Sequence, residues 1–480
     1  MISSRRLCLR AAVFKKVSGQ VTVFLTLWFL VFLGLYLVCL QSVWKQYQRK
    51  QAEQAVEAGM FSLFSEYEPH LFGQYDLFCL DTSFGGGAER PEEIAGHLWQ
   101  FTEQNLTDAS GDTLYGLKLE GVHIDGMIRM TDAAGAAFYR QAVKIMKERT
   151  GVSIAEDWVL QDLFQSGSEE NTRRFQEDCA AYEGSVRSYE DAEEEEERMD
   201  PEARRWDGIW NEFTLSKAVP GDHAVSEKTV DPGVMPSERE LSVGIGRAAG
   251  TEDQLIQKQW FISYLCEYMK QAQEMLPEQR TEGWLDYQLE YVIAGKASDE
   301  ENLGAVITRL LLMREGMNYV FLLTHPELKQ KAEALAFVLA GMTGNPEIIE
   351  GLKQLILLGW AYGESLVEVR QLLEGKELAA VKGMGEWQVP LSGLLPLLKD
   401  PGRYDAQKSV QEGISYEAFL RIFLTLESAE TLSMRALDVI EGELRCLEEC
   451  RNLHLDHCVD GLTAQVWMET VHLERSYGYE

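Results

Sequence analysis

The longest unbroken apolar pattern lies near the start of the chain, where Val21 to Leu40 read VTVFLTLWFLVFLGLYLVCL with no charged side chain. About twenty residues at about 1.5 Å each make a helix about 30 Å long, the thickness of a bilayer's hydrocarbon core. Backbone amides in lipid must be satisfied within the segment, so such a run spans as a helix. Residues 21–44 are thus predicted to cross a membrane, with Trp44 and Lys45 as anchors at the outer boundary. The helical pattern continues beyond them. Gln46 to Tyr67 contain no proline, and Val56, Met60, Leu63, Phe64 and Tyr67 recur at spacings of three and four until Pro69 ends the run. The simplest reading is one long helix, its first half in lipid and its second half gripped by a folded head.

After Gly73 the period changes. Tyr75, Leu77 and Cys79 alternate with Asp76, Phe78 and Leu80 as in a short buried strand, and Gly85-Gly86-Gly87 breaks the chain. Pro91 to Leu106 reads as helix. Leu117 and Leu119, then Val122, Ile124, Ile128 and Met130, form two alternating runs with a phase slip at Gly121 and another near Gly126. Helix is predicted again for Ala134 to Arg149 and for Ser153 to Phe164. From Glu183 to Gly250 the chain holds an uninterrupted Glu193 to Glu197, four prolines and few apolar residues, the composition of a disordered or loosely ordered insertion.

The C-terminal half is helical with clear punctuation. Ser298-Asp299-Glu300-Glu301 is a capping box ahead of Leu303, Val306, Ile307, Leu310 and Leu311. Thr324-His325-Pro326-Glu327 opens the next helix the same way, Asn345-Pro346 starts a third, and Tyr416 to Leu426 and Leu432 to Cys450 follow. Lys331, Glu333, Lys353, Glu364 and Glu368 interrupt these segments too often for further membrane spans. Leu462, Ala464, Val466 and Met468 alternate as a strand. The fold class is α+β, mainly helical: a long N-terminal transmembrane helix leading into one extracytoplasmic head with a small antiparallel sheet. The expected organisation is a basic cytoplasmic tail (1–20), the span (21–44), a membrane-proximal helix with the α+β part of the head (45–182), the acidic insertion (183–250) and a helical part ending in a strand (251–480).

Charge sets the orientation and narrows the partners. Arg5, Arg6, Arg10, Lys15 and Lys16 precede the span with no acidic residue among them, which predicts a cytoplasmic N-terminus and an exterior C-terminal body. Over all 480 residues, 45 basic side chains against 77 acidic ones give a net charge of −32, so nucleic acid is excluded as a partner. A cleaved signal is disfavoured because the apolar run is long and Cys39 to Trp44 offer no pair of small residues for cleavage.

Candidate chemistry is sparse. Cys446, Cys450, His454, His457 and Cys458 form the one metal-like constellation, but ligands along one straight helix point the same way and cannot close a tetrahedron around zinc. Gly244-Ile245-Gly246-Arg247-Ala248-Ala249-Gly250 has the look of a dinucleotide loop without a βαβ unit around it. There is no G-x-S-x-G or H-E-x-x-H. No catalytic, cofactor-binding or metal-ligating residue is assigned, no cofactor is expected, and no small-molecule substrate is identified.

The blocks SGQVTVFLTLWFLVFLGLYLVCLQSV and QAEQAVEAGMFSLFSEYEPHLFGQYDLFCLDTSFG, with LDYQLEYVIAGKASDEENL, RLLLMREGMNYVFLL, LLGWAYGESLVEVRQLL and YEAFLRIFLTLESAETLSMRALDVIEGELR, resemble an uncharacterised family of membrane-anchored proteins from Gram-positive anaerobes. The resemblance covers most of the chain outside the acidic insertion. It implies association with tight-adherence (Flp-type) pilus loci and a pseudopilin-like character. If Gly19 were a prepilin cleavage site, the fifth mature residue would be Phe24 where pilins carry Glu. The expected function is a non-enzymatic, membrane-anchored component of a surface or pilus-assembly apparatus, with the membrane and other assembly proteins as partners. The alternative is a membrane-tethered enzyme or zinc-dependent hydrolase using Cys446, Cys450, His454 and Cys458.

Overall fold

The computed structural model describes residues 5–107, 113–150, 215–221, 224–246, 254–276, 283–340, 345–379, 382–404 and 413–479. The expected helix over 153–164 and the Glu193 to Glu197 run lie outside them. The fold is α+β and mainly helical, with one long apolar N-terminal helix and a small antiparallel sheet. The chain forms two compact units.

The first unit contains residues 1–67, 89–127 and 460–479. Helix α1, Arg5–Phe64, runs unbroken for 60 residues. Its second half carries the expected inward face, with Val56, Met60, Leu63 and Phe64 all buried. Helix α3, Pro91–Leu106, packs on it through Ile94, Leu98, Thr102 and Leu106, each four residues after the last, which keeps one face inward. The sheet has the order β1 (Leu80–Asp81), β3 (Cys458–Met468), β2 (Leu119–Arg129), and β4 (Val471–Gly478) also pairs with β3. In this unit β3 and β4 form a hairpin in register Leu462 with Tyr477 and Met468 with Val471. Leu462, Ala464, Val466 and Met468 are buried, as their alternation predicts. Strand β4 lies on α1, where Arg475 bonds Glu53 at 3.1 Å and the Phe64 ring meets Tyr477 and Tyr479 at 5.1 and 4.9 Å. The expected phase slips at Gly121 and Gly126 do not divide β2, which is a single eleven-residue strand.

The second unit contains residues 68–88, 128–459 and 480. It holds α2 (Pro69–Tyr75), α4 (Asp132–Thr150), α5 (Gln254–Tyr268), α6 (Gln288–Ala294), α7 (Asp299–Thr324), α8 (Pro326–Ala340), α9 (Pro346–Leu373), α10 (Tyr416–Leu426) and α11 (Ala429–Arg445). The predicted cap at Ser298 forms, its Oγ accepting from the Glu301 N–H at 3.2 Å, and Asn345 Oδ1 accepts from the Glu347 N–H at 3.0 Å. Ser415 and Ser428 cap α10 and α11 in the same way, and each such cap stabilises by about 1 kcal/mol. Thr324, expected to open α8 like these, instead ends α7 and donates its hydroxyl back to the Val320 and Phe321 carbonyls. Helix α9 is buried on every side from Leu352 to Leu373 apart from Gln354, with α7 and α8 packed against it. Tyr75 ends α2, so the strand expected around Tyr75 to Leu80 shortens to Leu80–Asp81, paired with Val459 and Cys458.

The glutamates that interrupt α9 are a buried charge network. Glu368 accepts from Arg314 Nε and Nη2, both at 2.8 Å, and from Asn318 Nδ2 at 2.9 Å. Lys382 Nζ donates to Glu368 at 2.6 Å and to Glu364 at 2.5 Å. The Gln388 and Val389 amides complete Glu364 at 2.9 and 2.8 Å. Two carboxylates thereby meet two cations, the condition under which buried charge is tolerated.

Within the acidic insertion expected over 183–250, residues 224–246 are bonded into the fold. Ser237 donates from its amide and hydroxyl to Asp438, and Arg239 forks onto Glu441 at 2.5 and 2.9 Å while also reaching Asp456 at 2.5 Å. Composition counts these charges as solvent-facing; partners 200 or more residues away hold them in the fold.

Candidate functional site

The strongest functional surface is the first half of α1. Its most apolar eighteen residues have a mean hydropathy of 2.6, and none of them is buried. By length and composition this helix is able to cross a membrane, and it is the one such helix among the described residues. Phe24, Trp28 and Phe32 line one side, the first pair edge-on and the second tilted, with ring centroids 6.0 and 5.4 Å apart. The ring of Trp44 lies 5.9 Å from Tyr47, whose ring meets Tyr115 edge-on at 5.4 Å. One residue later Gln48 becomes buried and donates from Nε2 to the Tyr115 carbonyl at 2.9 Å. The apolar surface thus gives way to protein packing within one helical turn, at an aromatic pair of the kind that favours a membrane–water interface.

The Cys/His constellation does not converge. Helix α11 stops at Arg445 because Cys446 and Leu447 bond back three residues, to Glu443 and Leu444, instead of four. The straight helix expected through Cys450 is therefore broken, and its thiols leave one face. Exposed Cys446 donates to the Gly442 carbonyl at 3.3 Å. Cys458 is buried beside Cys79, and that hydrogen bond together with burial pushes its thiol far up. His454 lies 3.8 Å from Glu441, in a node already filled by the Arg239 guanidinium. Burial pulls His454 below its usual value, helped by Arg239 and Arg445 and opposed by Glu441. Cys450 stands apart from the other three, 3.8 Å from Glu68. Burial, Glu68, Glu449 and Asp81 push its thiol up to about 12.

The described part of the glycine loop, Gly244 to Gly246, meets a carboxylate, while residues 247–250 lie outside the described residues. Gly244 and Gly246 donate their amides to Asp132 at 2.8 and 3.3 Å, and the Arg129 amide adds a third bond at 2.8 Å. Three left-handed residues follow, Ala133, Ala134 and Gly135, with φ of 49°, 56° and 81°. For the two alanines this conformation costs about 1–2 kcal/mol each, held in place by the Asp132 clamp.

Sequence reasoning missed Glu68 and His70 beside Cys450 and the partners of Glu364 and Glu368. Each depends on a contact that no local pattern encodes.

No curated protein and no solved structure matches the chain. Residues 191–470 match the model of a family of unknown function, DUF5702. With more than half of its length covered by that match, including most of the helical unit and the β3 strand, the chain belongs to the DUF5702 family.

Proposed function

We propose that this protein is a non-enzymatic, membrane-anchored component of a surface or pilus-assembly apparatus of the tight-adherence, pseudopilin-like kind. Its N-terminus lies in the cytoplasm, and its acidic body stands outside and contacts other assembly proteins. One observation carries this reading: α1 passes without a break from fully exposed apolar surface into a helix–sheet core. A continuous helix of about 1.5 Å per residue transmits force and position from the membrane to the folded body, as a stalk must. The five basic residues ahead of the span support the orientation. The separation of Cys446, Cys450, His454 and Cys458 weighs against the hydrolase alternative.

Crosslinking of the full chain in native membranes, after protease treatment of protoplasts has located its exterior, tests the proposal. The expected result is digestion of everything beyond Trp44 from outside, and crosslinks to secretion or filament subunits encoded with it. A body shielded from external protease, or crosslinks to abundant unrelated proteins alone, overturns it.

A further inference from the structure

Glu68 and Cys450 are 382 positions apart in sequence, yet their side chains meet. Glu68 caps the start of α2, and its Oε1 accepts from the His70 amide at 3.1 Å. That bond fixes the carboxylate at the first turn, which also presents the His70 ring. Cys450 comes from the turn after α11 and is 4% exposed. One donor atom from each of the three residues lies within 4.8 Å of the other two.

We propose that Glu68, His70 and Cys450 are a zinc site, in which carboxylate oxygen, imidazole nitrogen and thiolate sulfur hold one Zn2+ and water takes the fourth position. The donor set carries the choice of metal. Thiolate with imidazole selects zinc over calcium or magnesium, and a carboxylate is a common third ligand. The spacing agrees as well. Zinc bonds of about 2.0–2.3 Å at tetrahedral angles put oxygen and sulfur ligands about 3.5 Å apart. Glu68 Oε1 and Cys450 Sγ stand at 3.8 Å, long for a hydrogen bond and close to a ligand-to-ligand edge. The acidic surroundings of Glu68, Glu449 and Asp81 favour a cation, while Asp81 itself is committed to Ser83 and Gly85. On binding, the metal replaces the thiol proton, which leaves to solvent.

The other mixed cluster, Glu441, His454 and Asp456, has equally close donors. Arg239 already supplies its positive charge, bonding Glu441 and Asp456 at 2.5 Å each. No such guanidinium bonds Glu68 or Cys450 among the described residues. Zinc at the first cluster would cross-link α2 to the turn after α11.

The test uses the full chain in detergent, stripped with a chelator and titrated with Co2+ and then Zn2+. The expected result is one Co2+ per chain with a thiolate-to-cobalt charge-transfer band, displaced by Zn2+. Cys450→Ser abolishes the band, and His70→Gln weakens Co2+ binding about tenfold or more. Cys446→Ser leaves both unchanged. Zn2+ also protects Cys450 from alkylation in the unmodified chain, a readout that needs no variant. A titration with no thiolate band, a band that survives Cys450→Ser, or an alkylation rate indifferent to Zn2+ overturns the proposal. Failure here leaves the assembly role standing, because that role invokes no metal.

Discussion

Gly59 of α1 lies so close to Thr102 of α3 that a methyl group at position 59 would stand 2.6 Å from the Thr102 hydroxyl oxygen and 3.2 Å from its backbone nitrogen. Gly59 is the point at which the long helix takes hold of the first unit's other helix. Small residues allow such an approach; larger ones force the backbones apart. Gly59→Val is expected to destabilise the first unit by about 1–3 kcal/mol, the usual cost of overpacking. Limited proteolysis should find faster cleavage within 91–106, and Gly96→Ala, where nothing lies within 4 Å, should behave like the parent.

Arg314 and Glu368 form the two-pronged bond at the centre of the helical unit, with both side chains almost wholly buried. Removing one partner strands a buried charge. Arg314→Met or Glu368→Ala should each cost about 3–5 kcal/mol in chemical denaturation, and the double variant Arg314→Met with Glu368→Leu less than their sum. Burial alone would raise the Glu368 carboxyl, but Arg314 and Lys382 hold it at about 2. Its contribution is therefore complete above the ordinary carboxylate range and is lost as pH falls towards 2.

Glu290 acts in the opposite sense. It is wholly buried, accepts from the Ala272 amide and the Tyr416 hydroxyl, and has no partner for Oε2 among the described residues. Burial pushes its carboxyl up to about 7 against those two bonds. A raised acid is bound more tightly to its proton when folded, so stability falls as pH rises from about 4.5 through 7. The size is about 3 kcal/mol for one such group. Denaturation midpoints between pH 5 and pH 8 should show this decline, and Glu290→Gln should flatten it. Burial also lifts Asp438, to about 6, and this adds to the same slope.

Arg239 ties the segment 224–246 both to α11, through Glu441, and to the turn beyond it, through Asp456. Arg239→Met leaves Glu441 and Asp456 facing each other, both nearly buried. A loss of about 3–5 kcal/mol is expected. Arg239→Lys should recover only part of it, because an ammonium cannot reproduce the guanidinium's two-pronged bond to Glu441 together with its bond to Asp456. Urea unfolding of the three proteins checks the order.

Much of the architecture is readable from local patterns. The span, the inward face of α1, the caps at Ser298 and Asn345 and the alternation of β3 all follow from chemistry within a few residues. Helices α5 and α6 do not, since Leu255 and Ile256 sit exposed beside buried Phe261 and Ile262, and Glu290 is buried within an apolar run. Glu364 and Glu368 read as interruptions that forbid a second membrane span; their counter-ions lie on α7 and on the segment after α9. The Cys/His pattern invited a single cluster, whereas the turn at Cys446 sends Cys450 towards Glu68 and His454 towards Glu441. In each case the deciding partner is distant in sequence, and spacing along the chain carries no trace of it.

Phe64 ends the stalk helix, and the rings that cover it, Tyr477 and Tyr479, follow it by more than 400 positions, the Tyr479 hydroxyl donating to the Phe64 carbonyl at 2.7 Å. During synthesis the apolar first half of α1 therefore emerges long before the strands that shelter its second half. Any product terminated ahead of Asp460 keeps that apolar segment but lacks the rings that cover Phe64. Such fragments should be recognised by membrane quality-control proteases, so that only completed chains accumulate.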